Sequence, residues 1–300
     1  MTHQLSDSEL LAELKLRFEQ NKKALRELKD LNEELKQVNK KLEESESLKS
    51  HFVSNITNEI INPFTSILGL SRAILSVDKE NWKKVISMVA LIHSEAFNLD
   101  FQFRNIFFAA KLEAGEVYPE IFSVDIQNLI ESVIESFKFE AKKKKVQFNF
   151  NFNIKSKKGE IYVFKTDPEK IKLILANLIS NAINFSFEAG VIELNTWIDE
   201  RNLMISVKDN GIGISKENQK IIFDRFKRLD SGINSINRGH GLGLSVNKAI
   251  IDMLKGKLEI ESELGKGASF TVSIPEAESP TEGFASDANE TFFDSDGDMF

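Results

Sequence analysis

The sequence contains no cysteine. That absence excludes disulfides, thiolate metal sites and a cysteine nucleophile, and it fits a reducing compartment. Long apolar runs are missing too. No stretch approaches the ~20 consecutive apolar residues needed to cross a bilayer, and the opening residues, MTHQLSDSELLAEL, lack the basic and apolar blocks of a signal peptide. The expectation is a cytoplasmic chain with no membrane span. Clustered positive charge is also scarce. The net charge is −7, and residues 276–300 hold eight acidic side chains with no Lys or Arg. The remainder is close to neutral, which argues against a nucleic-acid partner. The short basic run of Lys142, Lys143, Lys144 and Lys145 reads as a solvated helix end before a strand. Tyr and Trp number two each against 24 Phe, a bias that reads as core filling.

What is present organises into about two domains, since 300 residues at 41% hydrophobic content supply a core for each. Residues 11–52 are rich in Leu, Lys, Glu and Asn, contain no Gly or Pro, and repeat apolar residues three and four apart, the pattern of a coiled coil. Leu11, Leu14, Phe18, Leu25 and Leu28 keep one register; Leu31, Leu35, Val38 and Leu42 keep another, offset by a three-residue step that overwinds a coil locally. A parallel dimer seam and a long solvated helix both fit. The helix continues to about Leu75, interrupted at Pro63, which removes one backbone donor. A second helix over residues 80–112 carries Val85, Val89, Ile92, Ala96, Leu99, Phe103, Ile106 and Phe107 at helical spacing. Two such antiparallel hairpins, paired across a two-fold axis, bury their stripes as a four-helix bundle.

After Ala114 and Gly115, a helix stop, the pattern changes. It predicts strands at 122–125, 146–154, 161–165, 191–199, 202–209, 257–263 and 268–274, with helices at 126–142, 168–184 and 243–254 and a helical stretch at 216–228. Helices alternating with antiparallel strands indicate a two-layer α/β sandwich. Past Pro275 the chain is acidic, small-residue-rich and aperiodic, the composition of a disordered tail. The expected organisation is an α+β multidomain chain: coiled coil at 1–48, helical hairpin at 49–115, α/β domain at 116–275, tail at 276–300.

Five segments of the second half carry chemistry in a fixed order: NLISNAINFS (177–186), DNGIGIS (209–215), IFDRFKRLD (222–230), GHGLGLS (239–245) and GKGASFTVSIP (265–275). Asn177 and Asn181 lie four apart on one helix face, and a carboxamide oxygen suits a hard cation; capping amides are the alternative. Asp209 leads into a Gly-rich turn, where a buried carboxylate accepts from an amine and Gly211 and Gly213 let backbone approach a flat ring. Gly239, Gly241 and Gly243 precede a helix start, whose free N–H groups and dipole favour phosphate. Together the five resemble the nucleotide boxes of the histidine-kinase, gyrase and heat-shock-chaperone ATPases. With the hairpin included, the resemblance to sensor histidine kinases covers residues 49–275. It implies ATP and Mg²⁺ as cofactors. Asp209 would read the adenine amine and Asn181 would hold the metal. Gly239, Gly241, Leu242 and Gly243 would line the phosphates, with Lys227 and Arg228 close by and residues 230–238 as a lid. Asn184 stands where the family often has Lys, which removes a charge near the phosphates.

SNITNEIINPFTSILGL (54–70) resembles the family's phosphoacceptor box, with Thr57, Glu59, Asn62 and Pro63 in place but Asn58 at the histidine position. Imidazole offers a ring-nitrogen lone pair, whereas an amide nitrogen shares its pair with the carbonyl and is inert toward phosphoryl transfer. Self-phosphorylation there is expected to fail. Glu59 and Asn62 retain the family's carboxylate and water-positioning places, so phosphatase chemistry on a receiver is expected to survive. His51 and His93 read as helix-surface histidines and His240 as a loop residue; Ser279 with Pro280, and the terminal DSDGD, are weak motifs. The expected assembly is a homodimer through the coil and hairpin, and three functions stay open: a regulator or phosphatase of a response-regulator receiver domain; a kinase acting on a histidine of another histidine kinase in a heterodimer; and a scaffold that merely senses ATP.

Overall fold

A computed structural model describes residues 7–78, 81–154, 161–224, 241–278 and 284–285. The chain divides into two compact units, Met1–Ser54 and Asn55–Phe300. Helix α1 spans Asp7–Leu75 and contains Pro63, which lacks an N–H and so deprives the carbonyl of Glu59 of its helical donor. Within the first unit the apolar residues of both sequence registers stand uncovered, from 55% exposed at Leu35 to 74% at Leu25. Helix α2 spans Trp82–Ala114 and stops at Gly115, whose φ of 70° is left-handed. The Gly115 N–H donates to the Leu112 carbonyl at 3.2 Å and the Glu116 N–H to Lys111 at 3.0 Å, bonds that satisfy the last orphan carbonyls. No helix among the described residues is long and apolar enough to cross a membrane.

The rest of the second unit is a mixed α/β layer. Strands β1 (Phe122–Asp125), β2 (Gln147–Phe152), β3 (Val163–Thr166), β4 (Val191–Asp199), β5 (Asn202–Lys208), β6 (Lys257–Ser262), β7 (Ala268–Pro275) and β8 (Phe284–Ala285) form two sheets. The larger runs β2-β4-β5-β7-β6 and the smaller β3-β1-β8. The β2–β4 and β1–β8 pairs are parallel and the others antiparallel. Period-two patterning fixes register: Leu194 pairs with Val207, which pairs with Phe270, and Thr196 with Ile205 and then Val272. All six are buried, so a one-residue slip would turn the whole set to solvent.

Helices α3 (Ile126–Ser136), α4 (Lys138–Lys143), α5 (Pro168–Phe185) and α6 (Gly243–Met253) cover this sheet. Helix α5 starts where the sequence predicts: the Asp167 carboxylate accepts from the Lys170 N–H, and Pro168 takes the first turn. Its Ile171, Ile174, Leu175, Leu178 and Ile179 are at most 1% exposed. Each such side chain contributes about 1.5–3 kcal/mol on burial.

Three expectations need correction. The single helix at 126–142 is two, broken at Phe137 (φ −98°, ψ 1°). Ser132 and Ser136 donate back to the carbonyls of Leu129 and Val133, both at 2.7 Å, which competes with the helical ladder, and the Phe137 ring is drawn between Phe97 and Phe101 of α2. The helical stretch at 216–228 is, within the described residues, only a 3-10 turn at Asn218–Lys220. The Gln219 amide is taken by the carbonyls of Ile214 and Ser262, both at 2.9 Å, which ties the turn to β6. Beyond Pro275, β8 pairs with β1 through Ser123 and Val124, an element that acidic composition does not announce.

Leu178→Ala removes a fully buried side chain from the centre of α5. A loss of about 2–5 kcal/mol is expected in chemical denaturation; a change under 1 kcal/mol would mean that α5 is not central to this core.

Candidate functional site

Asp209 follows β5 and is 5% exposed. Backbone packs closely around the turn after it. The Ile212 N–H donates to the Phe185 carbonyl at 3.2 Å, closing the end of α5 onto the turn. A Cβ on Gly211 would lie 2.1 Å from that same carbonyl, and one on Gly213 (φ +67°) 2.0 Å from the Glu263 carbonyl. On the other side the Asp209 N–H donates to the Ala268 carbonyl at 2.9 Å. Burial pushes the Asp209 carboxyl up to about 6, while backbone N–H groups of Ala268 and Gly211 and the charge of Lys144 pull it down. Its Oδ1 has no hydrogen-bond partner among the described residues, an open acceptor of the kind a bound donor completes.

Gly241, Leu242, Gly243 and Leu244 lead into α6, and all four line a cavity of about 750 Å³. Leu242 at the helix start offers no side-chain cap, so the first-turn N–H groups of an eleven-residue helix are available to an anion. Asn177 and Asn181 also line the cavity but differ in use. Asn177 is buried and donates to the Gly243 carbonyl at 3.3 Å and to Asn247 Oδ1 at 2.8 Å, clamping α5 to α6. Asn181 is half-buried, lines the cavity and makes no hydrogen bond to another described residue, which leaves its carboxamide for a ligand. Lys227, Arg228, Gly239 and His240, with the 230–238 stretch, lie outside the described residues, as do Ser279, Pro280 and the DSDGD end.

The same cavity reaches the helical half. Asn62 and Pro63 of α1 and Ser94, Glu95, Asn98, Gln102 and Asn105 of α2 contribute to its wall. Asn62 is exposed at the rim; the side chains of His51, Asn58 and Glu59 lie outside the described residues, although their backbone is helical. Helix α2 meets the α/β layer through Phe97, 3% exposed and edge-on to Phe137 at 5.1 Å, and through Ser94, whose hydroxyl donates to Glu140 Oε1 at 3.3 Å. Burial raises the Glu140 carboxyl above its ordinary value. The apolar residues expected to face a bundle are uncovered in the single chain, Phe103 at 46% and Phe107 at 63% exposure. Sequence reasoning passed over this polar wall. Its signal was there, since positions 94, 98, 102 and 105 are polar at helical spacing. It also passed over Lys144: the basic run was read as solvated, yet Lys143 and Lys144 line the cavity.

Residues 166–278 match the family described as the histidine kinase-, DNA gyrase B- and HSP90-like ATPases. Over 234 residues the chain is 27% identical to the circadian input-output histidine kinase CikA of Synechococcus elongatus, covering 76% of this chain and 30% of that protein. Over 254 residues it is 30% identical to the sensor protein EvgS of Escherichia coli, covering 83% of this chain and 21% of that one. The chain belongs to the sensor histidine kinase family. The ATPase match implies ATP binding by this region. Full-length ShkA in complex with AMPPNP is similar in fold, with a TM-score of 0.54 at 23% identity, over 77% of this chain and 47% of that one. The chain thus spans less than half the length of each of these relatives.

The raised Asp209 carboxyl has a stability consequence of definite sign. The folded chain binds this proton more tightly than the unfolded chain, whose Asp titrates near 3.8. The Asp209 contribution therefore falls as pH rises from about 4 through about 6 and is flat above that. Asp209→Asn is expected to remove this slope and to raise nucleotide-free stability at pH 7.5 by about 1 kcal/mol, after allowance for solvent screening. Thermal melts across pH 5–8 check it; an unchanged slope would show that the carboxylate is well solvated.

Proposed function

We propose that this histidine-kinase family member binds ATP with Mg²⁺ in the cavity described above and acts on a response-regulator receiver domain as a phosphatase or regulator. It is a pseudokinase in one respect, unable to phosphorylate itself at position 58. One observation carries the reading: a single cavity wall includes Asp209, Asn181 and Gly243 together with Asn62. Nucleotide and receiver chemistry would therefore meet at the edge of one site.

In this reading Asp209 accepts from the exocyclic amine of adenine, completing its unpartnered oxygen. Gly211 and Gly213 let the backbone lie against the base. The N–H groups at the start of α6, with Gly239, Gly241, Leu242 and Gly243, hold phosphates, and Lys227 and Arg228 add charge. A Cβ at Gly243 would come within 3.1 Å of Asn177 Oδ1, so a side chain there would crowd that clamp. Asn181 presents a hard carboxamide oxygen to Mg²⁺, with Asn177 behind it. Mg²⁺ takes few protein ligands and shares phosphate oxygens and water, so one amide fits its needs. Bound Mg²⁺ would neutralise phosphate charge.

The domain reading follows the sequence boundaries: signalling coil at 1–48, hairpin at 49–115, ATP-binding domain at 116–275 and acidic tail at 276–300. The uncovered stripe from Leu11 to Leu42, and Phe103 and Phe107 on α2, support a homodimer that buries them as coil and bundle. Asn62, exposed at the cavity rim, is placed to orient water on a receiver's aspartyl phosphate, with Glu59 three residues before it. A second reading, phosphorylation of a histidine on another histidine kinase, draws on the same intact nucleotide wall.

Purified chain given labelled ATP is expected to acquire no acid-labile phosphate, and Asn58→His to acquire it. Label on the unaltered chain would refute the inert amide. Asn62→Ala is expected to slow dephosphorylation of a cognate receiver roughly 10- to 100-fold and to leave ATP binding unchanged. If Asn62→Ala leaves that rate intact while a partner's histidine is labelled, the second reading replaces the first.

A further inference from the structure

Lys144 stands apart from its neighbours in the basic run. Lys142 and Lys145 are exposed, whereas Lys144 caps the end of α4, is half-buried and lines the cavity. Its ammonium donates to the carbonyl of Asn184, in the last turn of α5. A cation at a helix C-terminus has a structural explanation in the macrodipole. That end is already served, however: the Ser186 N–H takes the Ala182 carbonyl at 3.0 Å and the Ile212 N–H takes Phe185. An ammonium has three donors, and the Asn184 contact uses one.

The second observation is Asp209. Its Oδ1 is buried without a partner, and Lys144 is the charged side chain that acts on it. Other charges on the elements around Asp209 are engaged elsewhere, while Lys143 of α4 is exposed and also reaches the cavity wall. Lys208 of β5 faces Glu193 at 3.6 Å, and Lys266 in the turn before β7 pairs with Glu263 at 2.8 Å. Glu140 of α4 receives the Ser94 hydroxyl, and the last charged side chain of α5, Lys172, pairs with Glu169 at 3.0 Å. Attraction runs both ways, since burial lowers the Lys144 ammonium and Asp209 raises it.

We propose that Lys144 is a specificity-determining residue of this cavity: anchored on the end of α5, its ammonium holds Asp209 as a pure acceptor, so that the site takes a purine with an exocyclic amine over one with an oxo group at the same place. The proposal rests on the cavity being the nucleotide site. Its logic is that of donor and acceptor inventory. A carboxylate can only accept and so matches an amine. A carboxylic acid also donates and so matches an oxo group. Burial presses Asp209 toward the acid, and the fixed ammonium opposes it. Without Lys144 the acid gains weight, the amine loses its acceptor and the oxo group gains a donor.

ATP and inosine triphosphate, which differ at that exocyclic group and in the proton that the oxo base carries on the adjacent ring nitrogen, test this on the full chain by calorimetric titration at pH 7. The unaltered chain is expected to prefer ATP. In Lys144→Gln the ratio of ATP to inosine triphosphate affinity is expected to shrink about tenfold, the size of one unit in an acid constant, with inosine triphosphate binding retained. Lys144→Arg, which keeps the charge, is expected to restore most of the ratio. An unchanged ratio in Lys144→Gln overturns the proposal. So does an equal loss for both nucleotides, which marks a purely structural role. If the unaltered chain binds neither nucleotide, the site reading itself falls and takes this proposal with it.

Discussion

The carbonyl of Phe185, the last residue of α5, is where the α/β half is pinned. It receives the Ile212 N–H and leaves no room for a Cβ on Gly211, so the longest buried helix of the layer and the turn after β5 are a single unit. Gly213 against Glu263 and Gly267 against Asp209 repeat the device, with a Cβ at either position 2.0 Å from a backbone carbonyl. Asp209 is thereby gripped by main chain from α5, the turn before β7 and its own loop. Only backbone held this closely can keep a carboxylate buried with one oxygen unpartnered, an arrangement that costs on the order of 1–3 kcal/mol and would relax if the loop could move. The core of α5 therefore does more than stabilise the fold, since its packing fixes the position of the acceptor.

Where pattern and chemistry coincide, the sequence was legible. The start of α5 at Pro168 and the spans of β4 and β5 were predicted nearly to the residue. The glycines at 211 and 213 were singled out for close backbone approach, and each proves to have a backbone carbonyl that a Cβ would strike. Legibility failed where a residue's partner is remote in sequence. Phe137 breaks a helix because of rings forty and thirty-six positions earlier, and no window around 126–142 contains them. Lys144 looked like one of four solvated lysines because its acceptor, Asn184, belongs to another element. Asn177 looked like a ligand residue on a shared face with Asn181, and its partner Asn247 lies seventy residues on. Periodicity reports which face of a helix is apolar. It does not report which polar face will be buried, and on α2 that was the face that mattered.

Helix α2 carries two surfaces of opposite character. Its outward apolar stripe suits a permanent partner, because apolar area is stabilised by any close-packed cover. Its inward face, through Ser94, Phe97 and Asn105, meets the α/β layer with Gln102 Oε1 and Asn105 Oδ1 both buried and unpartnered. Unpaired acceptors weaken such a contact relative to its area, so this face is suited to exchange, and the cavity beside it gives a ligand a direct say in how firmly the face is held. A ligand shifts a conformational equilibrium only by its difference in affinity for the two states. In the proposed reading a nucleotide lodged between Asp209 and the wall of α2 would have that difference built in, because the part of its surroundings that α1 and α2 supply would depart if the two halves separated. If the amide at position 58 transfers no phosphoryl group, this binding difference is the remaining route by which ATP acts on the helices, and it requires no bond to be broken.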